Sequence, residues 1–367
     1  MAKMDRRKFI KTAGICAGGL YLKPQAVSAL EIEEGFNTDQ VKPNENISVV
    51  VIVHHSKATN QNGKINKKIV RLMINEGIKA ITNSKTYQDA WERIFPEHLS
   101  QEIIGIKVNS SNFQLPTHPE VAYSIADSLK DSGFKENYIL LWDCYENNLK
   151  KSGYECNDND FGYRCFGTSR WGIGYDNAIK VKIPSANTEL PLSKILTQHS
   201  NYIINVPVLK NATPSAQSGF TAFAGVSLAL KNAYGYIPLN DQFWQFRILT
   251  AIENMKAMHA HNCNPQIAEL NVSPVIRKKT KLSVCDAILG IYDGGPYGPP
   301  QWVENKIIIS SDMVALDTCG LEIIERKRKE KGINSIVSQA GHIASASKLG
   351  LGNNNKEKIK QVYLNLG

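Results

Sequence analysis

The run IIGIKV at Ile103–Val108 is apolar apart from Lys107 and is followed by Asn109. Short apolar runs without polar alternation indicate strands of a parallel sheet that is covered on both faces. The predicted strands are Ile47–Val53, Ile103–Val108, Tyr138–Trp142, Ala178–Ile183, Tyr202–Leu209, Leu282–Cys285, Lys306–Ser310 and Val362–Leu364. The predicted helices are Ile65–Ile81, Tyr87–Phe95, Pro119–Leu129, Leu192–His199, Gly219–Ala233, Pro265–Arg277, Val314–Lys331 and Ser335–Lys348.

Because strands and helices alternate, the sequence predicts an α/β fold in which helices lie on both faces of a mainly parallel sheet. We assign residues 47–367 to a single large domain of this kind. The stretch Tyr145–Tyr175 is rich in Gly, Asn and Asp and is predicted to be a loop excursion from that domain.

Composition excludes several classes of protein. The chain has 367 residues, of which 42% are hydrophobic and 21% charged, so it is not disordered, collagen-like or a coiled coil. No apolar run reaches about 18 residues, and we therefore predict no stable membrane span. Residues 1–29 carry +5 of the net charge of +9, and the remaining +4 is too small to suggest a nucleic-acid partner.

The N-terminus has the features of an export signal. Arg6 and Arg7 precede Phe, Ile and Lys, a weakly apolar stretch follows at Thr12–Leu22, and small residues end at Ala29. These features resemble a twin-arginine signal peptide over residues 1–29, followed by a polar linker at 30–46; a basic amphipathic helix is the alternative. The resemblance implies the twin-arginine translocase as a partner and a periplasmic or other extracytoplasmic location. Because that route carries folded proteins, it also raises the expectation of a bound metal or organic cofactor.

The cysteines leave three alternatives open. Six follow the predicted signal: Cys144, Cys156, Cys165, Cys263, Cys285 and Cys319. No Cys-x-x-Cys motif occurs, so no zinc ribbon and no ferredoxin-type iron–sulfur motif is encoded. The cysteines could be buried thiols, could form disulfides such as Cys156–Cys165, or could serve redox or metal chemistry.

Polar side chains are predicted where strands end. In open parallel sheets, ligands bind outside the carboxyl ends of the strands. The residues that we expect there or close by are Lys107, Asn109, His118, Asp143, Asn205, Lys210, Asp286, Gly294, Gly295, Asp312 and Asp317. The alternative for each is structural: Asp312, for example, would cap the helix that begins near Val314.

Three lysines sharpen this expectation. Lys107 and Lys210 lie in or at the end of strands, and Lys231, followed by Asn232, lies in an otherwise small and apolar stretch. Two like charges about 5 Å apart cost about 3 kcal/mol at an effective dielectric constant of about 20. If the lysines converge, either nearby aspartates or a small anionic ligand must offset that cost. No Walker A motif and no Gly-x-Gly-x-x-Gly motif is present, so a standard nucleotide site is not indicated.

Histidines supply the other candidate chemistry. His259, His261 and Cys263 form a His/Cys cluster that could bind a metal ion if it lies in a loop. His118 or His259 could serve as a general acid or base, with Asp143, Asp286 or Asp317 as further catalytic candidates.

Together these motifs resemble one family, the domain of unknown function family 362. The residues that carry the resemblance are Gly105–Asn109, His118-Pro119, Trp142-Asp143, Ile204–Lys210, Leu230–Asn232, Gly294–Pro296, Ser311–Asp317 and Leu349–Gly352. The match runs from about Ile47 to the C-terminus, with departures at Met313 and at Asn211-Ala212. Some family members carry an added iron–sulfur segment, which this chain lacks.

Three functions follow as hypotheses. The first is an enzyme or cofactor-using protein that acts on a small anionic ligand, bound by Lys107, Asn109, Asn205, Lys210, Lys231, Asn232, Gly294 and Gly295. The second is a non-catalytic periplasmic protein that binds a metal or an anion. The third is a thiol or iron–sulfur redox protein.

Overall fold

The computed structural model describes residues 47–60, 63–96, 98–213, 224–239 and 248–367, all within one compact unit, Asn37–Gly367. The predicted signal peptide at 1–29, the linker at 30–46 and residues 219–223 of the predicted helix Gly219–Ala233 lie outside the described residues.

A sheet of ten strands forms the centre of the described structure. Its strands are β1 (Ser48–His54), β2 (Ile104–Lys107), β3 (Ile139–Asp143), β4 (Arg164–Gly167), β7 (Tyr202–Asn205), β8 (Val208–Ala212), β9 (Gly225–Ser227), β10 (Thr280–Ile291), β11 (Trp302–Ser310) and β12 (Ile359–Asn365). A separate antiparallel pair consists of β5 (Tyr175–Ile183) and β6 (Thr188–Ser193). The strand order is β12-β1-β11-β10-β7-β2-β3-β4, with β8 beside β10 and β9 beside β8.

Most neighbouring strands are parallel, which confirms the predicted fold class. β2 lies parallel to β3 and β7, β7 lies parallel to β10, and β3 lies parallel to β4. β1 and β12 are also parallel. β11 runs antiparallel to both β1 and β10.

Helices cover both faces of this sheet. They are α1 (Lys67–Thr82), α2 (Tyr87–Ile94), α3 (Pro119–Asp131), α4 (Glu146–Lys151), α5 (Lys194–Thr197), α6 (Ala229–Asn232), α7 (Ile248–Met258), α8 (Gln266–Asn271), α9 (Pro274–Lys279), α10 (Met313–Glu330) and α11 (Gly341–Lys348). The N-terminus of α10 is capped by Asp312, whose Oδ1 accepts from Val314 N at 2.8 Å, as expected from the sequence.

Successive residues of each strand enter different cores because side chains alternate across a sheet. Val51, Leu141 and Ile309 pack in the core beneath α1, α2 and α3. Val50, Trp142 and Ile308, each adjacent to a member of the first group, pack in the core beneath α6, α8, α10 and α11. The strands lack polar alternation because both of their faces are buried.

Four strand predictions need correction. Leu282–Cys285 is only part of β10, which continues to Ile291, so Asp286 lies inside the strand and not at its end. Ala178–Ile183 belongs to the separate antiparallel pair and not to the parallel sheet.

The strand predicted at Lys306–Ser310 is antiparallel, because the connection at 292–301 is too short to hold a crossover helix and joins β10 to β11 as a hairpin. Its carboxyl end therefore lies at the opposite edge of the sheet, where Asp312 accepts a hydrogen bond from Ser48, the first residue of β1. The strand predicted at Tyr202–Leu209 is divided between β7 and β8 at Val206-Pro207, where proline lacks the N–H that a ladder requires.

Four helix predictions also need correction. Ser335–Lys348 is α-helical only over α11, which begins at Gly341 and is preceded by a 3₁₀ turn at Val337–Gln339. Leu192–His199 is helical only over α5, because Leu192 belongs to β6. Pro265–Arg277 is divided into α8 and α9, since Pro274 cannot continue a helix. In the described part of Gly219–Ala233, Gly225 has a φ of +70° and begins β9, so only α6 is α-helical.

The excursion at Tyr145–Tyr175 contains α4 and the edge strand β4 as well as loop. Within the described residues, no helix is both long and apolar enough to cross a membrane.

Candidate functional site

A cleft of about 140 Å³ lies at the carboxyl end of β2 and β3. Its wall is formed by Lys107, Asn109, Ser111, Asp143, Cys144, Tyr145, Asn148, Ser227, Lys231, Asn232, Tyr234, Gly235, Ile237, Leu239, Met255, His259, Pro296 and Tyr297. The predicted candidates that line it are Lys107, Asn109, Asp143, Lys231, Asn232 and His259. The edge of the sheet that the sequence indicated therefore does contain a cleft.

Lys107 and Asp143 form a buried ion pair in the cleft wall. The Lys107 Nζ lies 2.8 Å from Asp143 Oδ1 and also donates to the carbonyl of Val108 at 2.8 Å. Asp143 Oδ2 accepts from the backbone N and the Oγ of Ser110, each at 2.7 Å. Burial disfavours the charged carboxylate, but Lys107 and Ser110 outweigh it and lower the pKa of Asp143 below its ordinary value. The pair is therefore charged and internally neutralised at pH 7.

Three asparagines link the carboxyl ends of β2 and β7 to α6, and two of them, Asn109 and Asn232, line the cleft. Asn232 Nδ2 donates to Asn205 Oδ1 at 2.7 Å, and Asn109 Nδ2 donates to Asn232 Oδ1 at 3.1 Å. Asn205 in turn donates to the carbonyl of Ala229 at 3.0 Å. Asn205 does not line the cleft; it fixes α6, which carries Lys231 and Asn232, to the end of β7.

Lys210 is buried against the same network. Its Nζ donates to Asn109 Oδ1 at 2.7 Å and to the carbonyl of Leu115 at 3.1 Å. Burial lowers its pKa to about 7, against the opposing charges of Asp143 and Asp286. Lys210 thus contacts the cleft only through Asn109.

Lys231 differs from the other lysines of the site. Its Nζ donates to the Sγ of Cys263 at 3.4 Å and lies 4.9 Å from the centre of the Tyr234 ring. Its exposed fraction is 8%, and no carboxylate of the described residues forms an ion pair with it. A buried ammonium without a counter-charge costs several kcal/mol. Since Lys107 is paired with Asp143, Lys231 is the lysine of the cleft lining that has no carboxylate partner among the described residues.

His259 lies beside Lys231 in the cleft wall. Its Nδ1 is 2.8 Å from the carbonyl of Met255, and its ring meets the Tyr234 ring edge to face at 5.2 Å. Burial, and then the charge of Lys231, lowers the pKa of His259 to about 3. The same two causes lower the pKa of buried His342 to about 3. Both imidazoles are therefore neutral at pH 7.

Asp317 holds α6 in place from outside the cleft. Its Oδ1 accepts from Ala229 N at 2.7 Å and its Oδ2 from Leu230 N at 3.1 Å. Burial raises the pKa of Asp317 to about 8, while these two N–H groups act in the opposite direction. Asp317, predicted as a catalytic candidate, is a positioning residue in this arrangement.

His118 and Asp286 pair with each other outside the cleft lining. His118 donates to Asp286 Oδ2 from Nδ1 at 2.6 Å and from its backbone N at 2.9 Å. Burial lowers the pKa of His118, but the charge and hydrogen bond of Asp286 outweigh it and raise the pKa above its ordinary value.

Gly294 and Gly295 support the loop that carries the rim residues Pro296 and Tyr297. Gly294 has a φ of +67°. Gly295 N donates to Asn211 Oδ1 at 2.9 Å, and a Cβ on Gly295 would lie 2.4 Å from the backbone oxygen of Asn211. The two glycines therefore shape the rim rather than bind at the cleft wall.

The predicted metal cluster is not assembled. His261, Asn262 and Cys263 have φ values of 51°, 58° and 59°, so three consecutive residues adopt the left-handed conformation. Within the residues that the structure describes, no group of three or more His, Cys, Asp and Glu side chains is arranged to hold a metal ion. Neither His261 nor Cys263 lines the cleft.

The cysteines of the described region are free thiols. Cys144, Cys165, Cys263, Cys285 and Cys319 are buried, and Cys156 is half-buried. Only Cys144 lines the cleft, and burial raises its pKa to about 11.

Sequence analysis missed the aromatic part of the cleft. Tyr234 and Tyr297 each follow a quoted motif by one or two residues, Leu230–Asn232 and Gly294–Pro296. Their closeness to a glycine-rich or lysine-containing motif was the one sequence signal that could have placed these tyrosines at the site. That signal is weak, because aromatic residues more often fill a hydrophobic core.

A family model described as "Domain of unknown function (DUF362)" matches residues 104–322, from the first residue of β2 into α10. The matched range is narrower than the resemblance drawn from the sequence, yet it contains every residue of the cleft wall. No curated protein and no solved structure matches the chain.

Proposed function

The chain belongs to the DUF362 family, and we propose that it is an exported protein that binds and acts on a small anionic ligand in the cleft described above. The observation that carries the proposal is the position of Lys231, which is 8% exposed and lines the cleft without a carboxylate partner among the described residues. An anion placed against its Nζ would supply the missing counter-charge through a charge-assisted hydrogen bond.

Polar groups around Lys231 support a ligand of small size. Ser111, Asn148 and Ser227 line the cleft and could donate to the oxygens of an anion. Ile237, Leu239 and the other apolar lining residues reduce the access of water, which strengthens such bonds. A volume of about 140 Å³ suits a ligand of a few heavy atoms rather than a nucleotide.

Lys210 favours an enzyme over a purely binding protein. A buried amine with a pKa of about 7 can take up or release a proton at physiological pH, and it is hydrogen-bonded to the cleft residue Asn109. A non-catalytic binding protein is the second candidate, favoured by the ion pair that neutralises Lys107 and Asp143. A thiol redox function has the least support, because only one described cysteine lines the cleft.

The test replaces Lys231 by methionine, which keeps an unbranched side chain of similar shape, one heavy atom shorter, and removes the ammonium group. We expect Lys231→Met to weaken the binding of inorganic phosphate and of lactate by about 10- to 100-fold, the size of a hydrogen bond to a charged group. Isothermal titration calorimetry at constant ionic strength measures the loss. Because an uncompensated buried charge disappears, the variant should unfold at the same temperature as the wild type or higher.

The matched control is Lys256→Met, which removes an exposed lysine from α7 near the same cleft. It should bind both anions within about twofold of the wild type, as exposed charges contribute little. If the wild type binds neither anion, or if folded Lys231→Met binds them as tightly as the wild type, the proposal is wrong.

A further inference from the structure

The protonation of the His259 ring is fixed by its neighbours. Its Nδ1 lies 2.8 Å from the carbonyl oxygen of Met255, and a carbonyl can only accept. The ring proton therefore resides on Nδ1. The ring stays neutral because it is buried next to the Lys231 ammonium, which leaves a lone pair on Nε2.

His259 and Lys231 face the same small space. Both line the cleft, and both pack against the ring of Tyr234, Lys231 over its face and His259 against it edge to face. No residue in the described parts of the chain donates a hydrogen bond to His259 Nε2. The carboxylate in this wall, that of Asp143, is already bonded at both oxygens by Lys107, Ser110 and Cys144.

From this geometry we infer that the cleft selects anions that carry a hydroxyl group next to their charge. The anionic oxygen would lie against Lys231 and the hydroxyl would donate to His259 Nε2. Hydrogen phosphate, with its P–OH, and 2-hydroxycarboxylates share this chemistry, whereas sulfate and simple carboxylates lack the donor. The inference rests on the proposed anion site and adds the class of ligand to it.

A bound anion does not protonate His259 Nε2, so the preference for anions with a hydroxyl group remains. Its charge would offset that of Lys231, but burial is the larger cause of the lowered pKa of His259, and a bound ligand only increases burial. Nε2 therefore stays an acceptor in the complex. A ligand without a donor leaves a desolvated lone pair unpaired, and we expect a loss of about tenfold in affinity.

The experiment compares two matched pairs of anions on the wild-type protein. At about pH 8 hydrogen phosphate and sulfate have nearly the same charge and size and differ mainly in one proton. Lactate and propionate differ by one hydroxyl group. In at least one pair, we expect calorimetry to show that the hydroxylated anion binds about tenfold more tightly than its partner. A difference between phosphate and sulfate indicates a phosphate ligand, and a difference between lactate and propionate indicates a hydroxycarboxylate ligand.

Variants assign the preference to His259. His259→Phe keeps an aromatic ring beside Tyr234, and should bind both members of a pair equally while Lys231-dependent binding persists. The control is His199→Phe: His199 is also a part-buried histidine packed edge to face on an aromatic ring, Phe166, but lies outside the cleft lining. It should keep the wild-type preference.

Failure of this inference is distinguishable from failure of the anion site. Equal binding of both members of both pairs by the wild type overturns the selectivity and leaves the anion site intact. A preference that survives in His259→Phe overturns the role of His259. Absence of any anion binding by the wild type removes the proposed function itself. The first comparison needs no variant, so a folding defect in His259→Phe cannot block the test.

Discussion

The buried lysines of this protein have different partners, and those partners distinguish lysines with a structural role from the lysine that we propose binds a ligand. Lys107 has a carboxylate partner, Asp143, at 2.8 Å. Lys279 donates to three carbonyls, those of Leu196, Thr197 and Ser200. Among the described residues, the partners of the Lys231 ammonium are the sulfur of Cys263 and the ring of Tyr234. Because the last arrangement satisfies an ammonium least, Lys231 is the residue against which we propose that an anion binds.

The His118–Asp286 pair makes stability depend on pH. The folded-state pKa of His118 is raised above the ordinary value of 6.5, so the pair stabilises the fold fully below about pH 6.5 and less as pH rises through the folded-state pKa. Relative to the wild type at the same pH, His118→Gln should therefore lose more free energy of unfolding at pH 5.5 than at pH 9, as measured by urea denaturation.

His199→Gln provides a control of opposite sign. Burial, and then the charges of Arg164 and Lys194, lowers the pKa of His199, so the wild type gains stability relative to this variant as pH rises. If His118→Gln lowers the free energy of unfolding by the same amount at pH 5.5 and at pH 9, the ion pair does not form as described.

At the scale of elements, the short helix α6 determines where Lys231 lies. Asp317 accepts from the N–H groups of Ala229 and Leu230, and Asn271 Nδ2 donates to the carbonyl of Leu230 at 2.9 Å. A helix of four residues cannot persist by itself, so these side chains fix its position.

Asp317→Ala should reduce both stability and anion binding. Two backbone donors lose their acceptor, which we expect to cost about 1–3 kcal/mol of unfolding free energy, and Lys231 loses its fixed position. The control is Thr86→Ala, which removes the cap of α2, where Thr86 Oγ1 accepts from Asp89 N at 3.1 Å, outside the cleft. It should lower stability by about 1 kcal/mol and leave phosphate binding unchanged. Unchanged phosphate binding by folded Asp317→Ala would contradict the role assigned to Asp317.

The positions of the strands could be predicted from the sequence better than the direction in which each strand runs and the strand beside which it lies. The predicted Ile103–Val108 and Tyr138–Trp142 match β2 and β3 within one or two residues, because apolar runs bounded by polar residues are a local signal. The direction of β11 and the hairpin of β5 and β6 depend on connection length and tertiary pairing, which no local pattern encodes. The division at Pro207 was visible in the sequence, but a continuous apolar run outweighed it.

At the scale of the whole molecule, parallel pairing brings the site together. The carboxyl ends of β2, β3, β7 and β10 meet at one edge, which is why residues far apart in sequence, such as Lys107 and Asn232, are hydrogen-bonded at 3.3 Å. Strand ends predicted this edge. They could not show which polar residue faces the cleft. Asp286 lies inside β10, which continues to Ile291, and pairs with His118. Asp317 lies in α10 and holds α6.

The proposed export concerns the folded chain as a whole. We expect the full-length chain to reach the periplasm of a bacterium with a twin-arginine route and to be cleaved after Ala29. Replacing Arg6 and Arg7 by lysine keeps the charge and should abolish export, whereas Lys23→Gln should not. Fractionation and N-terminal sequencing measure both. Equal export of the twin-lysine chain would contradict the signal assignment.

The most direct test of the anion site is a crystal structure of the wild-type protein grown with inorganic phosphate. We expect one phosphate in the cleft with an oxygen within hydrogen-bond distance of Lys231 Nζ. A cleft that holds only water at a phosphate concentration well above that needed for binding, or a phosphate bound solely elsewhere, would contradict the account.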